Sequence, residues 1–260
     1  MGVFSSVGRG VAGAAASFGR VCEFTGEAVV SLLVVLFCPW KMRFGDFALA
    51  FQRAAFNAIP VATGIGLLLG LILAFESAAA MRMFAAEVYV SDLLAIGVFR
   101  ELGPLVTAIV LAGRSGSAFA AEIGTMKVDE ELDALTTMGL SPVRFLVPAR
   151  VLAAVVAMPV LTILAELAAV FGGAAVLKAM GVPTPVFWEH VRGVTSASIL
   201  SLGLAKSCLF GLLVGCGAGM NARTGADGVG VATTSAVVGS LVAIAVADGL
   251  VAVVSFAWGI

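Results

Sequence analysis

From Ala54 to Phe75 the chain runs for 22 positions without a charged residue. No other stretch restricts the fold so tightly. A helix needs about 20 apolar residues to cross the hydrocarbon core of a bilayer. In that medium every backbone N–H and C=O must be paired within the segment itself. The run is therefore expected to be a spanning helix over 54–76, and the rest of the chain must be compatible with a membrane. Composition agrees: 61% of the 260 residues are hydrophobic and 12% are charged, where soluble domains are about half apolar and about a quarter charged. Pro60 lies in the first turns, where a missing N–H matters least. Gly64, Gly66 and Gly70 offer a surface that another helix can approach closely. The G-x-G pattern they contain follows no strand, which argues against a dinucleotide loop.

Four further apolar runs follow, at 93–113, 151–177, 197–220 and 233–257. The run 151–177 is interrupted only by Glu166 and carries Pro159 as a kink. The fold class expected is an all-α integral membrane protein with five transmembrane helices, a single domain over 1–260. The uncharged run 28–40 is too short to span, and Arg20, Lys41 and Arg43 flank it. It fits a helix lying in the membrane interface within an elbow segment 1–45; a short re-entrant or buried helix is the alternative. Pro39-Trp40-Lys41 follows it rather than a small-residue cleavage site, so the segment is expected to stay in the mature chain. Residues 178–192 form a polar connection with a rigid Pro183-Thr184-Pro185 turn, and Asn221–Gly230 reads as a Gly/Asp loop.

Lys and Arg in the connections set the expected orientation. Arg9, Arg20, Lys41, Arg43, Arg53, Arg114, Lys127, Arg144, Arg150 and Arg223 collect on one side, and Arg82, Lys178 and Arg192 on the other. This places the N-terminus in the cytoplasm and the C-terminus outside.

Arg100, Glu101, Glu166, Lys206 and Asp248 lie inside the apolar runs. A charge at the centre of a spanning helix costs about 2.5–3.5 kcal/mol on insertion scales, so each should face a partner or water. Arg100-Glu101 either is neutralised by another helix or lines a polar cavity, and the two readings are compatible. Gly103-Pro104 should kink the helix just after it. Glu101 and Lys206 are expected to approach each other, with Arg100 nearer cytoplasmic or cavity water.

Between the second and third runs the chain turns polar. Val128, Leu132, Leu135 and Met138 recur at helical spacing. Asp129, Glu130, Glu131 and Asp133 crowd the first turns, where the helix dipole favours carboxylates. Gly139 suits the residue after a helix C-cap, and Ser141-Pro142 an N-cap and N1. The expected element is a short amphipathic helix with an acidic outer side. A solvated loop helix is the plainer reading.

Several functions are excluded. One histidine, His190, cannot build a His-rich metal site or a Ser/His/Asp triad, and it suits an interface or loop. Cys22, Cys38, Cys208 and Cys216 show no ligand spacing. A net charge of −1 leaves no footprint for nucleic acid. There is no P-loop, since Gly113-Arg114-Ser115-Gly116 lacks its spacing and its Lys. Active transport that is not ion-driven would need its energy from a separate protein.

Arg100-Glu101-Leu102-Gly103-Pro104, Ala112-Gly113-Arg114-Ser115-Gly116-Ser117-Ala118 and Ala121-Glu122-Ile123-Gly124-Thr125-Met126-Lys127-Val128 resemble the signature of the MlaE permease family. Asp133-Ala134-Leu135, Met138-Gly139, Pro142-Val143-Arg144, Pro148-Ala149-Arg150, Lys206-Ser207, Phe210-Gly211, Gly228-Val229-Gly230 and Ala232-Thr233-Thr234 extend the likeness, which runs from about residue 15 to the end. The resemblance implies a non-catalytic membrane subunit of an ABC transporter that moves phospholipids between the inner and outer membranes of Gram-negative bacteria. It implies a homodimer with an interfacial helix and five spans per copy, in the inner membrane. The partners implied are two cytoplasmic ABC ATPases, which hold ATP and Mg, a hexameric MCE-domain protein in the periplasm, and a small STAS-domain protein. This chain itself would carry no cofactor.

On that resemblance a coupling helix runs from Glu122 to Met138, with Glu122, Thr125, Met126, Lys127, Val128, Asp129, Glu130, Asp133, Leu135 and Met138 as ATPase contacts. A lipid cavity at the dimer interface would draw on the first, second and fifth spans, with Leu67, Leu71, Phe75, Glu76 and Leu102 as candidate lining. Glu101 and Lys206 match polar intramembrane positions of the family. Glu76 and Glu131 stand where the family commonly has Gln, and Val231 and Ser235 where Arg is frequent. The rival readings are an ion-coupled transporter acting alone, which five spans do not divide into equal repeats, and a structural scaffold, which leaves the embedded charges unused.

Overall fold

The computed structural model describes residues 19, 22–35, 37, 40, 43–84, 86–220 and 228–257. The protein is an all-α membrane protein, and among these residues five helical runs are long and apolar enough to cross a bilayer. Helix α1 covers 22–35. Its Phe24 and Ala28 are buried against Val143, Val147 and Val151, whereas Val29, Val30, Leu33 and Val34 stay exposed. One face thus rests on protein and the other is apolar and open.

Helix α2, Phe44–Ala55, passes through a 3₁₀ turn, Phe56–Ala58, into α3, Ile59–Arg82. Pro60 lies at the start of α3, where its missing N–H is harmless. The spanning helix extends past Glu76 because Ala78–Ala80 are strong helix formers. Thus absence of charge located the span, and local propensity set its ends.

The second span is a composite. Helix α4, Val90–Gly97, a π turn, Val98–Leu102, α5, Gly103–Leu111, a second π turn, Ala112–Gly116, and α6, Ser117–Val128, follow without a break. The π turn before Gly103-Pro104 absorbs the hydrogen bond that Pro104 cannot donate. After α6 comes α7, Glu131–Thr137, then α8, Pro142–Ala179, with Pro148 and Pro159 inside it. Helix α9, Thr184–Val194, occupies most of the polar connection in which a rigid Pro183-Thr184-Pro185 turn is expected. Pro183 is its N-cap and Pro185 lies in its first turn, so the two prolines start a helix instead of forbidding one. Helices α10, Ala197–Gly219, and α11, Val229–Ala257, complete the chain. The Gly/Asp loop expected before α11 lies outside the described residues up to 227, as do Lys41 and Arg223.

Helix α8 is the axis of the bundle. Helix α3 crosses it so closely that a Cβ at Gly66 or Gly70 would overlap the backbone of Ala165 or Ala169. Helix α10 lies along another face of α8 and carries α11 on its outer side. The most apolar stretch of α11 is only 11% buried, against 50% for α8. Long apolar faces of α3 (Leu67, Leu68, Ile72, Phe75) and α11 (Val238, Val242, Val246, Leu250) are left open.

Candidate functional site

Two polar constellations stand out, one inside the bundle and one at its end. The first centres on Lys206. Its side chain, 1% exposed, projects from α10 between Glu101 of the π turn and Asp248 of α11. The ammonium is ion-paired to Glu101 and lies 2.8 Å from Asp248 Oδ1. The Arg100 guanidinium lies 3.5 Å from Glu101 Oε1, and its Nη2 is 3.4 Å from Ser255 Oγ on α11. Two cations thus face two anions, and three spans are tied by one ammonium. Charges taken out of water persist only when paired and hydrogen-bonded in this way.

The expected approach of Glu101 to Lys206 is present. Asp248 joins them, a partner the sequence did not suggest. Arg100 does not lie toward the end of the bundle that carries α6 and α7: its partner Ser255 is on the last turn of α11, at the other end. The π turn explains the arrangement, because five residues in one wide turn bring Arg100 and Glu101 toward α10 and α11 together. Glu166 stands apart. It is buried on α8 and covers Gly103, where a Cβ would lie 2.6 Å from its Cγ. No ion pair or hydrogen bond reaches it among the described residues.

The second constellation is the polar end. Glu122 to Met138 is not one helix. Helix α6 stops at Val128, Glu130 takes a left-handed conformation with φ 58°, and α7 begins at Glu131. The break rotates α7, so the four-residue apolar stripe splits. Leu132 and Leu135 are buried against Ile123 and Leu146. Val128 and Met138 are 64% and 66% exposed. Leu135 is therefore an internal anchor and not a contact surface. Glu122 is likewise engaged within the chain, 3.1 Å from Arg150 and 3.7 Å from Arg53. Met126 is partly buried against the same cluster as Leu135. Thr125 donates back to the Ala121 carbonyl. Asp133 is paired with Lys127 at 3.1 Å. Asp129, Glu130 and Glu131 remain on the outside, an acidic rim around the exposed Val128 and Met138.

Capping fixes this end. Gly139 takes φ 76°, and the amides of Leu140 and Gly139 donate to the carbonyls of Leu135 and Thr136, a Schellman closure. Ser141 caps α8, accepting from the Arg144 amide, and donates to Glu27 of α1 at 2.6 Å. Arg144 pairs with the same carboxylate at 3.3 Å. The interfacial helix is thereby tied to the turn between α7 and α8. Nothing in the composition of α1 suggested this link. His190 lies on α9, 3.0 Å from Asp92, and fastens α9 to α4.

Of the candidate cavity residues, Leu67, Phe75 and Glu76 lie on the open face of α3, while Leu71 and Leu102 are half-buried. Within one chain α3 and α11 pack on different partners, so their open faces do not close a cavity by themselves.

Known proteins share this sequence closely. The model of the family described as Permease MlaE matches residues 47–254. A probable ABC transporter permease protein of Rickettsia typhi is 35% identical over 201 residues, covering 75% of this chain and 77% of that one. A probable ABC transporter permease protein of Synechocystis is 38% identical over 183 residues, 69% and 70% of the two chains. The intermembrane phospholipid transport system permease protein MlaE of Haemophilus influenzae is 35% identical over 199 residues, 75% and 76% of the two chains. With five spanning helices, α8 the axis among them, a buried ion cluster at Lys206 and a family match over most of its length, this chain belongs to the MlaE permease family.

Proposed function

We propose that the protein is the membrane subunit of an ATP-driven phospholipid transporter of the inner membrane, working as a homodimer with two ABC ATPases and a periplasmic MCE-domain hexamer. A STAS-domain protein completes the assembly on the cytoplasmic side. ATP and Mg belong to the ATPase. The observation that carries the reading is the α6–α7 corner. An exposed apolar pair, Val128 and Met138, ringed by Asp129, Glu130 and Glu131, stands on a base fixed by Leu132 and Leu135. A rigid, capped projection of this kind suits a lever gripped by a soluble motor: apolar anchors supply the affinity and the acidic rim the orientation.

ATP-driven closure of the motors would move the two corners. The push reaches α8 through the short α7–α8 turn, and α5 through α6 and its π turn. A motor can shift the bundle only if it binds its two states unequally. The Lys206 cluster is the element able to distinguish them, because parting α10 from α11 or from the π turn would break an ion pair. The open faces of α3 and α11 from two copies would then enclose the lipid. The cation-rich end faces the cytoplasm in this reading.

Reversing the rim with Asp129→Lys and Glu130→Lys should abolish capture of the ATPase in a pull-down, while the permease still inserts and keeps its thermal midpoint. Undiminished capture would overturn the assignment of this corner to the motor. Ion coupling, the rival mechanism, predicts transport by the permease alone in vesicles without ATP.

A further inference from the structure

A cleft of about 220 Å3 opens between α2, α6 and the first turns of α8, and the transport reading leaves it unused. Arg43, Arg53 and Arg150 line it against two carboxylates, Asp46 and Glu122. One positive charge is uncompensated. The three guanidiniums are held unequally. Arg150 is largely buried: its Nη1 donates to the Leu146 carbonyl at 2.9 Å and its Nη2 lies 3.1 Å from Glu122 Oε1. Arg53 reaches that same oxygen only at 3.7 Å, beyond hydrogen-bond range, so its five N–H donors have no hydrogen-bonded partner among the described residues. Arg43 lies 3.1 Å from Asp46 and is stacked over the Phe145 ring at 4.6 Å, which fixes its plane and leaves other N–H groups free for a ligand.

The surroundings narrow the ligand. Leu49 belongs to the lining and is half exposed, and Phe44 is exposed on the same helix. A cation-rich hollow with an apolar rim, at the start of the helix that enters the membrane, matches a headgroup with acyl chains beside it. The volume corresponds to about seven waters, enough for a phosphodiester and its glycerol. Guanidiniums suit phosphate because their planar N–H pairs match two oxygens at once.

We infer that the α2–α6–α8 cleft binds a phosphate-bearing anion, and that the headgroup of an anionic phospholipid is the form its apolar rim selects. The site is separate from the Lys206 cluster and from the open faces of α3 and α11. A lipid held there bridges α2, which leads into the first span, to α6 and α8 on either side of the α7 corner. It rests on the membrane placement in the proposed function and not on the ATPase.

The test uses the intact permease with its ATPase, delipidated in detergent and then offered dioleoylphosphatidylglycerol, dioleoylphosphatidylcholine or inorganic phosphate. Native mass spectrometry counts retained lipid. Phosphatidylglycerol should be retained in preference to phosphatidylcholine. Its retention should fall about fivefold for each arginine removed in Arg43→Gln and Arg53→Gln. Asp46→Asn, which keeps the cations, should raise retention, and it serves if the arginine variants fold poorly. A thermal stabilisation by inorganic phosphate equal to that by phosphatidylglycerol supports the anion site with a soluble source. Unchanged phosphatidylglycerol retention in both arginine variants overturns the inference. So does loss of the ATPase with lipid retention intact, which would make the cleft a protein contact. Failure of the wild-type chain to hold any ATPase would count against the transporter reading while leaving the lipid measurement valid.

Discussion

Lys206 is the residue on which most depends. Its ammonium is enclosed by two carboxylates from different helices, and either carboxylate alone would suffice to neutralise it. Removing the cation leaves Glu101 and Asp248 facing each other, and stripping one partner from a buried ionic group costs about 3–5 kcal/mol. Glu101 is about a third open to solvent, so the lower end applies. Lys206→Met should therefore lower the thermal midpoint of the purified permease by several degrees. Adding Asp248→Asn, which leaves Glu101 to Arg100, should recover most of the loss. The third member changes the meaning of a charge swap. Glu101→Lys with Lys206→Glu restores the first pair but sets a new carboxylate against Asp248 and a new cation beside Arg100, so rescue should appear only when Asp248→Asn is added, and then only in part. Rescue by the double swap alone would show that Asp248 is no partner. The sequence pointed to five embedded charges and to one pairing among them. It could not rank distances between spans, and so Asp248 and the isolation of Glu166 were legible only in three dimensions.

The element that most departs from its sequence pattern is the α6–α7 corner. Apolar residues at helical spacing predicted one amphipathic helix with Val128, Leu132, Leu135 and Met138 on one face. The pattern is present, but Glu130 leaves the helical region and two short helices share the stripe between an inner and an outer surface. Periodicity reports a face only while the helix is unbroken, and a non-glycine residue at positive φ gives no compositional warning. The capping residues Gly139, Ser141 and Pro142 were readable because their signals are local. The split makes a contrast measurable. Leu132→Ala should cost about 2–5 kcal/mol of local stability, seen as loss of hydrogen-exchange protection across α7. Val128→Ser with Met138→Ser should leave that protection unchanged and weaken ATPase capture. Equal loss of protection in both would mean that the exposed pair is structural.

At the scale of the whole molecule, the open faces of α3 and α11 require a second surface, and they differ from one another. The face of α11 is uncharged over Val238, Val242, Val246 and Leu250 and suits lipid or a dry contact between copies. The face of α3 carries Glu76, exposed beside Ile72 and Phe75 with no ion pair or hydrogen bond among the described residues. A carboxylate cannot face hydrocarbon cheaply, so this part of α3 must meet water even though it lies in a spanning helix. Apolar residues alone could not have shown this, because cavity lining and lipid-facing surface have the same composition. The proposed homodimer, with two-fold symmetry, would present the same residue from both copies to the space between them. A single label then tests both properties. With the native cysteines replaced, Glu76→Cys should react with a membrane-impermeant maleimide added from the C-terminal side of the membrane. A spin label at that position should give one narrow distance between copies. Phe171→Cys, on the outward face of α8, should stay unlabelled in the same membranes. Equal protection of both thiols would place Glu76 in a closed interface, and the lipid would have to travel along a different face.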